Sequence, residues 1–226
     1  MSINSSVRWL DQVTGLIFDL DGVLIQSSSA HARAFQEVLS GCGIHDFDYG
    51  DFAGWRTAEV FRAVLRDRYN GEVSDALIAD CSQRKSRRAR DLIAAERPME
   101  SDCVPVIREL ASRYRLVLAS SGSRRSVDAF LDSSGLADAF RFTFSGDDVG
   151  NAKPDPEIFR RSISALEAQP RECAVIEDAV AGILAARRAG AHSIGFGTKN
   201  AQALSLAGAG RVVGSLRELA GLFERA

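Results

Sequence analysis

Leu16-Ile17-Phe18-Asp19-Leu20-Asp21-Gly22-Val23-Leu24-Ile25 decides the reading of this chain: an apolar strand runs into two carboxylates, turns at a glycine and becomes apolar again. Stripping water from a carboxylate costs several kcal/mol even after relaxation, so acids at the end of a buried strand need partners. Side chains alternate along a strand, which puts positions 19 and 21 on one side, and Gly22 permits a sharp turn directly after them. That arrangement suits a divalent cation and a phosphoryl group.

Further short apolar runs at 116–120, 174–176, 193–196 and 211–213 read as buried strands like the first at 16–20. Between them, 102–113, 123–134, 156–166 and 179–189 carry apolar residues at the three-to-four spacing of a helix. Alternating strands and helices imply parallel strands joined by helical crossovers, an α/β fold with a doubly wound sheet whose ligands bind beyond the carboxyl ends of the strands. The rhythm breaks after Ile25. Residues 30–39, 57–68 and 74–95 read as helices with no strand among them, ended by Gly41 and Gly43 at the first and by Arg97-Pro98 at the last. The expected organisation is therefore a core of 1–26 and 99–226 with an all-helical insertion at 27–98.

A chain of 226 residues with 46% hydrophobic content can bury one good core and a smaller satellite. Lys and Arg number 28 against 30 Asp and Glu, a formal charge of -2, which offers no general attraction to nucleic acid or to an anionic membrane. No apolar stretch approaches the roughly 18 residues that span a bilayer, and the chain reads as cytoplasmic. Cys42, Cys81, Cys103 and Cys173 are scattered without Cys-x-x-Cys spacing, which argues against zinc and against a disulfide framework and for buried free thiols.

Three more strand ends carry polar residues. The first is Ser120-Ser121-Gly122-Ser123, which offers hydroxyls, amides and a helix N-terminus to an anion; Ser123 reads equally as an ordinary helix cap. Lys153 stands in Asn151-Ala152-Lys153-Pro154-Asp155-Pro156, where it reads either as a cation for phosphate or as a solvated loop lysine. The last is Glu177-Asp178, a second acidic pair, readable as metal ligands or as a cap of the following helix. Carboxylates on separate strands can share one Mg2+, which prefers oxygen ligands and keeps several waters.

Together, Asp19 to Gly22, Ser120, Lys153 to Pro156, and Glu177-Asp178 with Gly182, Ala185, Ala186, Ala189 and Gly190 resemble the signature of the haloacid dehalogenase superfamily across essentially the whole chain. The insertion is similar to the cap of the subgroup that contains β-phosphoglucomutase and many small-metabolite phosphatases. The resemblance implies that Asp19 attacks phosphorus and that Asp21 acts as general acid and then base. It implies a Mg2+ cofactor on Asp19, Asp178 and the Asp21 carbonyl with Glu177 nearby. Ser120, Ser121 and Lys153 would hold the phosphoryl oxygens. Asp21 also points away from carbon–halogen hydrolysis, which in this superfamily goes with another residue at that position.

The cap is expected to select the substrate by closing over the cleft, with His31, Trp55, Arg56 and Lys85 as the candidate contacts. Gly54-Trp55-Arg56-Thr57 resembles the cap substrate loop, although the mutase arginine would fall at Thr57, and Gln26 stands where an Asp is common. The basic run Arg84, Lys85, Arg87, Arg88, Arg90 reads mainly as a solvated helix face. The expected activity is that of a Mg2+-dependent phosphohydrolase on a small phosphorylated metabolite of the sugar phosphate kind, as a monomer or weak homodimer. A sugar phosphomutase is the alternative, and a noncatalytic binding module the third reading.

Overall fold

The computed structural model describes residues 9–52, 55–96, 98–100 and 102–224. The strands are β1 (Gly15–Phe18), β2 (Arg115–Ala119), β3 (Phe140–Phe144), β4 (Cys173–Glu177), β5 (His192–Phe196) and β6 (Arg211–Val213). The α-helices are α1 (Ser28–Ser40), α2 (Thr57–Arg68), α3 (Asp75–Glu96), α4 (Cys103–Ala111), α5 (Arg124–Ser134), α6 (Glu157–Ala165), α7 (Val180–Arg188), α8 (Ala201–Ala207) and α9 (Leu216–Phe223). Two units emerge, one of Met1–Ile25 with Met99–Ala226 and one of Gln26–Pro98.

The first unit is a parallel sheet in the order β3-β2-β1-β4-β5-β6. All four residues of β1 are buried, because a central parallel strand is covered on both faces; this is why it is apolar throughout rather than alternating. Register places Ile17 between Val117 and Val175, and on this face they meet Ile158, Phe159 and Ile163 of α6 and Ala185 and Ala186 of α7. The period of two puts Leu16 and Phe18, with their buried neighbours Leu116, Leu118, Ala174 and Ile176, on the other face. Winding runs from β1 outward to β3 and then, from β4, outward to β6. The order reverses between β1 and β4, so the crevice at their carboxyl ends is the binding position of such a sheet.

β3, α8 and α9 fall outside the expected elements. Phe140–Phe144 is an edge strand with Phe140 buried but Arg141 and Phe142 exposed, so it lacks the continuous apolar run by which the central strands announce themselves. The other expected elements are present with ends shifted by a few residues.

In the second unit α1, α2 and α3 pack around Phe35, Leu39, Val60, Phe61, Leu65 and Ile78, and among its described residues none lies in a strand. Arg88 clasps Glu37 through two bonds of 2.6 and 2.9 Å, and Arg33 pairs with Glu96, tying α1 to α3. The basic run of α3 is less solvated than its composition suggests. Lys85 is buried, its Nζ 2.8 Å from His31 Nδ1 and 4.3 Å from the centre of the Phe35 ring. It lies on the stripe Cys81, Lys85, Ala89 and Leu92, four buried positions at helical spacing, which is what draws this lysine inward while Arg84 turns to Asp80 at 3.4 Å. Gly54 of the expected substrate loop and Arg97 at the expected end of the last inserted helix lie outside the described residues.

Candidate active site

Beyond Phe18 the β1 ladder continues for one more bond, from Asp19 N–H to the Ile176 carbonyl at 3.0 Å, and this fixes the backbone that carries the first carboxylate. The Asp19 side chain is buried and accepts from Lys153 Nζ at 2.6 Å. The same ammonium donates to Glu177 Oε1 at 2.5 Å and to the Ala119 carbonyl at 3.2 Å. Asp19, Ala119 and Glu177 stand at the ends of the adjacent strands β1, β2 and β4. One lysine, delivered by the loop before α6, therefore gathers three strand ends.

The remaining groups close in around this point. Glu177 Oε2 accepts from the Ala179 amide at 3.2 Å, and Gly182 in the first turn of α7 leaves the space that its carboxylate fills: a Cβ there would stand 1.9 Å from Glu177 Cδ. Gly22 has φ +84°, and a Cβ on it would stand 1.9 Å from Asp178 Oδ2, so the turn after Asp21 lies directly against the Asp178 carboxylate. Asp19, Glu177 and Asp178 each offer an oxygen within 4.8 Å of the others. The Asp21 carboxylate is not one of this trio. It faces the turn after β2: a Cβ on Gly122 would lie 3.7 Å from Asp21 Oδ2 and 3.1 Å from Ser120 Oγ.

Ser120 is fully buried, and its hydroxyl accepts from the Gly122 amide at 2.9 Å, shaping that turn. Ser121 is exposed. Ser123 is a helix cap, accepting from the Ser126 amide, whereas the N-cap of α7 is Ala179, without a side-chain bond to the helix. The Ala119 carbonyl is the site atom that sequence reasoning missed. Main-chain acceptors carry no signature in residue type.

Burial pushes the Asp19 carboxyl up to about 7; Lys153 pulls it down, while Glu177 and Asp21 push it further up. Burial likewise raises Asp178 well above the usual carboxylate range, reinforced by Glu177, Asp19 and Asp21. Burial alone would lower Lys153, but Asp19 and Glu177 outweigh it and hold the ammonium above its ordinary value. The pocket is thus rich in hard anionic oxygens whose charge burial resists, the donor set that a small hard cation fits.

The four candidate contacts of the helical unit are distributed differently. His31 on α1 and Lys85 on α3 form the close pair already described. Trp55 is 52% exposed, its ring edge-on to Phe52, and Arg56 precedes α2 as its N-cap residue.

A model of the haloacid dehalogenase-like hydrolases matches residues 13–190. The chain is 31% identical over 191 residues to Protein CbbY of Rhodobacter capsulatus, covering 79% of this chain and 83% of that protein. It is 32% identical over 193 residues to the validoxylamine A 7'-phosphate phosphatase of Streptomyces hygroscopicus subsp. limoneus, covering 84% and 88%. The crystal structure of β-phosphoglucomutase from Clostridium difficile superposes with a TM-score of 0.79 at 25% identity, covering 94% of this chain and 98% of that one. With the acidic trio and its lysine at the sheet's switch point and the family model spanning most of the chain, this protein is an enzyme and belongs to the haloacid dehalogenase-like hydrolases.

Proposed function

We propose that the enzyme is a Mg2+-dependent phosphomonoesterase that hydrolyses a small phosphorylated metabolite of the sugar phosphate kind through an aspartyl-phosphate on Asp19. The observation that carries this reading is the Lys153 ammonium bonded to both Asp19 and Glu177 beside Asp178, inside the core. A carboxylate nucleophile must approach an anionic phosphate, and buried positive charge at the nucleophile lowers that repulsion.

Asp19 and Asp178, with the Asp21 carbonyl and with Glu177 beside them, would hold Mg2+, which supplies charge stabilisation to the transferring phosphoryl group. An Asp19 oxygen attacks phosphorus while the bond to the leaving oxygen breaks, and protonated Asp21 gives its proton to that oxygen. The Asp21 carboxylate then removes a proton from water as the water attacks the phosphorylated Asp19, which returns as carboxylate while phosphate departs. Ser120, Ser121 and Lys153 hold the phosphoryl oxygens throughout. His31, Trp55, Arg56 and Lys85 are the proposed contacts to the rest of the substrate.

Purified protein is incubated with phosphorylated metabolites, with Mg2+ or with chelator, and free phosphate is measured. Mg2+-dependent release that falls by at least about 10^3-fold in Asp19→Asn, with an unchanged circular dichroism spectrum, is the expected result. Full activity in chelator, or in the Asn variant, refutes the assignment. The likeness to a β-phosphoglucomutase over nearly the whole chain supports a second reading, in which a hydroxyl of the bound sugar receives the phosphoryl group in place of water. Interconversion of glucose 1-phosphate and glucose 6-phosphate without free phosphate would select it.

A further inference from the structure

The turn that follows β2 is held from behind by the segment that follows β3. Ser120 N–H continues the β2–β3 ladder to the Phe144 carbonyl at 3.0 Å, and the Gly122 carbonyl accepts from Gly146 N–H at 2.7 Å. A Cβ on Gly146 would stand 2.5 Å from the Ser121 carbonyl oxygen and 3.2 Å from that of Gly122, so two backbones meet there with no room for a side chain. Asp147 reaches across as well, its Oδ2 accepting from the amide of Arg124, the first residue of α5, at 2.8 Å.

The supporting segment is itself built around one carboxylate. Asp148 Oδ2 accepts from the Ser145 amide at 2.7 Å, from the Ser145 hydroxyl at 2.8 Å and from Arg124 Nη2. Ser145 is fully buried, and its hydroxyl also accepts from the Asp147 amide at 3.2 Å. The Arg124 guanidinium continues to Thr143 on β3, 2.8 Å from its Oγ1 and 3.0 Å from its carbonyl. Burial alone would raise the Asp148 carboxyl, but the Ser145 amide and hydroxyl and Arg124 outweigh it and keep the group below its ordinary value, so it is ionised at neutral pH. Hydrogen bonds to an ionised carboxylate are about twice as strong as neutral ones, which makes this acid the firmest point of the support.

We propose that Asp148, acting through Ser145 and Arg124, is a positioning residue that sets the Ser120–Gly122 turn for the phosphoryl group. This rests on the phosphatase reading above. Ser120 Oγ stands one rotatable bond from the main chain, so it goes where the turn goes, and misplacing a group at the reacting centre by 1 Å can cost about 10^2-fold in rate. Without the Asp148 carboxylate, Ser145 and Arg124 lose their shared acceptor. The segment that carries Gly146 and Asp147 then no longer has a fixed place from which to hold the Gly122 carbonyl and the Arg124 amide.

Phosphate release in Mg2+ is measured for the wild type, Asp148→Ala and Asp148→Asn, with inorganic phosphate as a competitive inhibitor. The Ala variant should lower kcat/KM and raise the inhibition constant of phosphate, each by about tenfold or more. The Asn variant keeps an oxygen for the Ser145 amide and hydroxyl and should recover most of both. Hydrogen exchange of the peptide 119–126 should quicken in the Ala variant, while that of 173–177 stays as in the wild type. Gly146→Ala presses on the same turn with Asp148 in place; it should weaken phosphate inhibition likewise, and it decides the question if Asp148→Ala does not fold. A lower melting temperature with kcat/KM and phosphate inhibition unmoved would make Asp148 a purely structural group and overturn the proposal. A wild type that neither releases phosphate from any ester nor binds inorganic phosphate would remove the phosphatase reading itself, whereas an active wild type with unmoved variants removes only this inference.

Discussion

Lys153 has acceptors at 2.5, 2.6 and 3.2 Å and is only 9% exposed, so its removal exposes what it compensates. Lys153→Met keeps the length and apolar contacts of the stem, including the approach to the Phe159 ring, but leaves Asp19 and Glu177 facing one another. Deleting one partner of a buried ion pair costs about 3–5 kcal/mol, and we expect a loss near the lower figure in urea unfolding with chelator present, since protonation of Asp19 offers relief. A wild-type unfolding midpoint in this variant would refute the compensation. At this scale the acids were legible in the sequence because a charge at the end of a buried strand has no inexpensive role inside a core. Legible too was the possibility that Lys153 is a site cation. The anchoring of that lysine by Glu177 was not, since nothing in residue type says which acid a lysine will choose. Lys85 escaped for a different reason: its arginine neighbours advertise a solvated face, whereas the positions that govern it are Cys81 and Ala89, one turn to either side.

Among elements, α7 sets the end of β4. Its Gly182 leaves the space that the Glu177 carboxylate occupies, and an added methyl would sit 1.9 Å from Cδ and 2.1 and 2.3 Å from the two oxygens. Gly182→Ala must therefore move α7 away from the sheet or swing Glu177 off Lys153. Overpacking of this kind costs about 1–3 kcal/mol, so the melting temperature should fall. Displacement of Lys153 relative to Asp19 should lower kcat by about tenfold or more while KM changes less, because the disturbed contacts lie at phosphorus and not at the rest of the substrate. Wild-type kcat in a folded Gly182→Ala protein would show that the contact is slack. The same view explains which elements could be read from sequence. β1, β2 and β4 are covered on both faces and leave unbroken apolar runs, while β3 at the edge admits Arg141 into its middle and loses the pattern. α8, with its Ala and Ser, buries chiefly Leu204 and Ala207, too narrow a stripe to distinguish from a small-residue loop.

For the whole molecule, alternation of strand and helix was enough to give the doubly wound topology, because parallel strands leave few ways to connect. The formal charge of -2 said nothing of the site, since charge summed over 226 residues hides three acids, Asp19, Glu177 and Asp178, gathered beside one lysine. No helix among the described residues is long and apolar enough to cross a membrane. That local excess of negative charge should couple folding, pH and metal. Burial lifts Asp19 from the ordinary 3.8 to about 7, so between those values the metal-free folded protein retains a proton that the unfolded chain has released. An acid whose folded value is raised makes stability fall as pH climbs through that window, and the fall ends above about pH 7. Mg2+ binds the ionised carboxylates and must displace that proton, so its apparent affinity should weaken by up to about tenfold for each pH unit below about 7. The increment in melting temperature from a fixed Mg2+ concentration should accordingly be small near pH 5.5, grow through pH 7 and level off by about pH 8. Thermal melts in Mg2+ and in chelator across this range measure it directly. An increment independent of pH would mean that the acids at the β1 and β4 ends are already ionised without metal, and that Lys153 alone suffices to hold them so.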